Sequence, residues 1–247
     1  MIAPIALGLT LLFAPAQDDD PPPPTPEQIE AAVDAIEVGI EEENLEATLE
    51  AIKAAQAVPH EDVTEALSKA ARLPEIEIAV AALDVLGRID DESAVAELKR
   101  IRKKGKKLLE QEAWAIELWR AMGRRGDTEL VDLIADASLQ QQHFKVDRAR
   151  ILALGKIRSV ESVEALMGLM KRIAKKEINA FMDPFRASLI ALTGQDAGHN
   201  RDLWEEWWND NKRDLELPEE EQAIENKKIR FTWDAFWKGE KKKEGGR

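Results

Sequence analysis

From Glu27 onward apolar residues recur at the spacing of an α-helix, and short turns break the pattern about every ten to twenty residues. No stretch alternates polar and apolar positions as a half-buried strand does. Proline stands only at the edges of the periodic stretches, so the pattern predicts an all-α chain. The pattern also repeats. Ala51-Ile52 with a turn at Val58-Pro59, Ala82-Leu83 with Ile89-Asp90, Leu118-Trp119 with Arg125-Gly126, and Arg150-Ile151 with Arg158-Ser159 hold the same place in successive units. The units are about 31 to 36 residues apart, and each reads as a helix, a tight turn and a second helix.

The first helices end in ALDVLG at Gly87, ELWRAMG at Gly123 and RILALG at Gly155, with LTG at Gly194 as a fourth copy carrying one inserted residue. A large apolar residue just before glycine predicts a left-handed C-cap. The second helices open DESAVAEL, GDTELVDLI and SVESVEALMGL, where Asp91, Asp127 and Ser159 are the expected N-caps. One such hairpin cannot bury its apolar face alone, so successive hairpins must stack.

The segments ALDVLGRIDDESAVAELKRI and LALGKIRSVESVEALMGLM resemble HEAT repeats of the short bacterial type, over about residues 45 to 212. The resemblance implies a right-handed α-solenoid of four to five HEAT-like hairpins and carries no chemistry of its own. The stretch LTGQDAGHNRDLWEEWW, residues 192–208, is similar to the ending of HEAT-repeat proteins exported by planctomycete-type bacteria. It departs from them at Ala197, where those proteins carry an aromatic residue.

The ends differ from this body. Residues 1–16 run apolar from Ile5 to Phe13 and finish Ala14-Pro15-Ala16, the small-x-small pattern of a signal peptide, although the segment has no Lys or Arg. It is too short to span a bilayer, so the expected product is exported to the periplasm or exterior with no stable membrane span. Residues 17–26 read as a Pro-rich linker, residues 27–212 as the repeat body with a Trp-rich cap, and residues 213–247 as a charged tail. The tail's Phe231, Trp233, Phe236 and Trp237 fit either a short helix folded back on the body or an exposed docking segment.

Charge narrows the partners. Lys plus Arg number 35 against 48 Asp plus Glu, a net −13, which repels a phosphate backbone and argues against nucleic acid. There is no cysteine for a disulfide or a thiolate ligand. Of the three histidines only His60-Glu61 has the His-Glu form that iron hydroxylases on HEAT scaffolds use several times over, and Glu61 reads equally as a first-turn acid. No nucleophile elbow, phosphate-binding glycine loop or HExxH helix is present, so the expectation is a protein without catalytic residues, cofactor or metal.

Binding candidates remain. Trp204, Trp207 and Trp208 share one helix face and read as an aromatic cap or a recognition face. The neighbouring Gln195, Asp196, His199, Asn200 and Asp202 offer oxygens to a cation without the spacing of an EF-hand. The run KRIRKKGKK, residues 99–107, is basic in an acidic chain. Lys99, Arg102, Lys103, Lys171 and Arg172, all on second helices, are therefore the expected contacts of a protein partner on a non-catalytic scaffold. The alternative is an accessory or lyase-like chaperone for a small molecule, and a purely structural role would appear as self-association.

Overall fold

The protein is described by a computed structural model covering residues 22–136, 138–139 and 143–238. The expected signal peptide and residues 17–21 of the linker lie outside the described residues. Among those described there are twelve α-helices and no strand, as the periodicity predicts.

Local chemistry starts most of them. Helix α1 (Pro26–Glu41) begins one residue earlier than the periodicity suggests. Thr25 and Gln28 form a reciprocal capping box, and Pro26 sits in the first turn, where its missing N–H costs nothing. Asn44 caps α2 (Leu45–Ala55) and His60 caps α3 (Glu61–Ala70), its Nδ1 accepting from the Asp62 amide at 3.2 Å. His60 is therefore a helix cap, with Glu61 in the first turn. Helices α4 (Ile76–Leu86) and α5 (Ser93–Lys104) follow, and Asp91 accepts from the Ser93 amide at 2.9 Å. Ser159 caps α9 (Val160–Arg172) as expected. Asp127 forms no side-chain cap, because a 3-10 turn at Thr128–Leu130 intervenes and α7 (Val131–Ala135) has only five residues.

The helices pack in two rows. Helices α2, α4, α6 (Glu112–Arg125), α8 (Phe144–Leu154) and α10 (Ile178–Thr193) touch in succession and form a first row. Helices α1, α3 and α5 touch in a second row, α7, α9 and α11 (Arg201–Asn211) continue it, and salt bridges join α5 to the α7 segment. The last helix, α12 (Lys227–Trp237), lies on the first row against α10 and α8.

The helix-end glycines act differently from expectation. Gly87 and Gly155 have ordinary right-handed φ, and Gly123 lies inside α6, which runs on to a left-handed Gly126. What they provide is close approach along the first row. A Cβ on Gly87 would lie 2.7 Å from the Ala121 Cα, one on Gly123 2.9 Å from the Ala153 Cα, and one on Gly155 2.4 Å from the Ser188 Cβ. Ala121 and Ala153 each stand two places before the next glycine. By that register Ser188 precedes Ile190, so Gly194 is not the fourth copy. Gly194, φ 74°, is nonetheless a true left-handed cap.

Helix α10 carries Pro184 in its interior, although the sequence pattern places proline only at the edges of helical stretches. An interior proline costs about 3 kcal/mol. Burying Phe181, Met182 and Phe185 completely recovers about 2 kcal/mol or more for each side chain, so packing wins.

A candidate interaction surface

The five cations expected to face a partner do not behave alike. Lys99 on α5 is bound to Glu129, and Arg102 reaches Asp136 at 3.0 Å while lying 5.5 Å from the Trp119 ring. Neither is fully exposed. Arg172 on α9 is exposed, and its Nη2 donates to the Ala135 carbonyl at 2.9 Å. Lys103 and Lys171 are exposed and have no ion pair among the described residues.

The paired cations form a ladder along the second row. Lys69 of α3 meets Glu37 of α1 at 3.5 Å, Arg100 of α5 lies 4.0 Å from Glu65 of α3, and Lys99 and Arg102 reach the α7 segment. Arg201 of α11 donates to the Ile173 carbonyl beyond α9 at 3.4 Å. Short α7 exposes its last carbonyls to this traffic. Arg172 takes Ala135, and the buried Arg150 takes Ile134 at 2.8 Å. Burial lowers the Arg150 pKa from its usual value, and the Asp147 carboxylate opposes that shift.

The tryptophans close the end of the array. Trp204 is fully buried and donates to the Gly198 carbonyl at 2.9 Å, and Trp208 is 8% exposed. Trp207 stacks edge-on against Trp204 at 5.8 Å and is only half-buried. Asn200 caps α11 by accepting from the Asp202 amide.

The adjoining loop spends its oxygens internally. Arg186 clamps Asp196 through two hydrogen bonds of 3.0 and 2.6 Å, and the Gly198 amide donates to the same carboxylate. The Arg186 hydrogen bond holds the Asp196 carboxyl below its ordinary range. Among the described residues no group of three or more His, Cys, Asp or Glu is placed to hold a metal ion.

On the opposite row, α12 brings its aromatics to three first helices. Trp233 and Phe236 are buried, Arg120 of α6 lies 4.7 Å over the Phe236 ring, and Trp237 occupies the space left by Gly123. Beneath them Glu117, 4% exposed, holds Arg120 and Arg124. Burial raises the Glu117 pKa, against the two guanidiniums that lower it. The connector is fixed too: the Gln222 amide donates to the Ala191 carbonyl at 2.9 Å, and Glu221 accepts from Trp233 Nε1 at 2.9 Å. Of the two expectations for the tail, residues 227–237 form the folded-back helix, although Phe231 remains 73% exposed.

Sequence reasoning missed the burial of Glu117 and the internal pairing of Lys99 and Arg102. The signal for Glu117 was present in the spacing Glu117-Arg120-Arg124 on one face of α6, but charged residues at helical spacing usually face solvent. No protein-family model and no curated protein matches the sequence.

Proposed function

We propose that the chain is an exported right-handed α-solenoid of HEAT-like hairpins that acts as a non-catalytic scaffold for another protein, which docks on the row of second helices. The supporting observation is the asymmetry of the two rows. Helix α12 covers α6, α8 and α10 of the first row, whereas the second row presents exposed side chains such as Glu65, Ala96, Lys103 and Glu164 over a face whose neighbouring helices are bridged by ion pairs. A surface held in register before binding loses less conformational entropy on docking. In-cell crosslinking with mass spectrometry of a C-terminally tagged protein tests this. Crosslinks from second-helix lysines to one stoichiometric exported protein support the reading, and self-crosslinks alone overturn it.

A second reading, as an accessory protein for a small molecule, is favoured by one feature. Ile40, Leu45, Leu73, Pro74 and Ile76 line an open groove of about 730 Å³ at the turns joining α1 to α2 and α3 to α4. Its size and apolar lining suit a ligand. Native mass spectrometry checks it: a bound mass that Leu73→Asp abolishes supports this reading over the first.

A further inference from the structure

The cations that the ladder leaves over are gathered at one edge. Lys103, Lys104, Lys106 and Lys107 are exposed at the C-terminal end of α5 and in the turn after it. Lys171, Lys175 and Lys176 are exposed at the corresponding end of α9. None of these seven has an ion pair among the described residues. The two groups flank the C-terminus of α7, because Arg102 holds Asp136 from the α5 side and Arg172 holds the Ala135 carbonyl from the α9 side.

The edge is basic in spite of nearby acids. Asp136 is occupied by Arg102, with Arg150 at 3.9 Å, while Glu110 and Glu177 stand beside the two lysine groups and offset only part of their charge. The helix C-termini also point their partial negative charge here, which favours lysine at these positions without giving it a partner.

We infer that this edge is the docking site for an acidic, extended polypeptide segment of the scaffold's partner. The inference rests on the scaffold reading and moves its contact from the laddered face to the edge. Two helix spacings separate the lysine groups, about 20 Å. An extended chain covers that distance in about six residues, so the segment carries acids at both ends of such a span. A narrow chain is the occupant that suits the charge distribution. Screening limits fields to about 8 Å at physiological salt, so a segment lying on the edge meets the lysines and little else. A broad anionic surface meets the acids around the edge as well as its lysines, and a second copy brings a net −13 of its own.

The test is fluorescence anisotropy with a labelled decaglutamate peptide, using the full chain at low and physiological salt. The peptide binds the native protein, more weakly as salt rises. Charge reversal of Lys103, Lys104, Lys106 and Lys107, or of Lys171, Lys175 and Lys176, weakens binding by about tenfold or more. Reversal of the exposed Lys53, Lys227 and Arg230, matched in charge to the three-lysine set, changes it less than about twofold. Lys→Gln versions of both edge sets, checked for native helix content, separate lost binding from lost folding. Equal effects of edge and control sets overturn the inference, as does binding to anionic phosphatidylglycerol vesicles without binding to the peptide. Self-association that the edge variants abolish also overturns it, in favour of a second copy. A crosslinked partner that maps to other lysines sinks the edge while leaving the scaffold reading intact.

Discussion

Gly155 and Gly168 are both glycines in or beside helices, and the structure gives them opposite roles. A Cβ at Gly155 collides with Ser188 on the neighbouring helix, whereas one at Gly168, inside α9, meets no atom within 4 Å. Gly155→Ala should therefore cost about 2–3 kcal/mol in urea unfolding, through the forced separation of α8 from α10. Gly168→Ala should add about 0.5–1 kcal/mol, because alanine loses less backbone freedom on folding. Asp196 supplies a pH signature. Its folded pKa lies below the ordinary carboxylate value, so its pairing with Arg186 stabilises the fold above that value and is lost as pH falls through the folded one. Asp196→Asn should be less stable than the native protein by about 1 kcal/mol near neutrality, a figure discounted for the partial exposure of the carboxylate. The two proteins should converge in acid urea titrations. A constant difference across pH would show that the ion pair is not its source.

Helix α11 and helix α12 both carry aromatic stripes, but they close different surfaces. Trp204 is fully buried with its indole N–H satisfied, so Trp204→Ala should cost about 3–5 kcal/mol, while half-buried Trp207→Ala should cost about 1 kcal/mol. Melting curves of the two variants decide whether the stripe is a cap. Removing residues 213–247 should leave the two rows folded but uncover Gly123, Arg120 and Glu117. The shortened chain should then bind a hydrophobic dye and melt several degrees lower. Unchanged dye binding would mean that α12 is not seated on the first row in solution. At this scale the sequence was legible for the cap at Ser159 and for the tryptophan stripe. The length of α7 and the interior place of Pro184 in α10 were not, because both depend on packing: arginines from α8 and α9 satisfy the short helix, and buried Phe181 and Phe185 override Pro184.

Each helix touches little beyond its neighbours in the two rows, so stability should vary along the molecule. The C-terminal end is covered by α11, the connector and α12, whereas Val38 and Leu45 remain 48% and 43% exposed at the N-terminal end. Hydrogen exchange should therefore be fastest in α1 and α2 and slowest in α8 and α10. Uniform protection would show a single cooperative unit instead.

The sequence by itself determined that the chain is helical and repetitive, because helical periodicity and turn chemistry act within a few residues. It also marked Trp204, Trp207 and Trp208 as one helix face, a cap or a recognition surface, and the run at residues 99–107 as unusually basic. Only the tertiary structure decided what the repeated glycines and cations do. A glycine that ends a helix and one that admits a neighbouring helix look the same along the chain, and they separate only when Ala121, Ala153 or Ser188 arrives opposite. In the same way Lys99 and Lys103 are near neighbours on one helix, but one has Glu129 within reach and the other has solvent. Those differences come from residues about thirty positions away, supplied by the next hairpin.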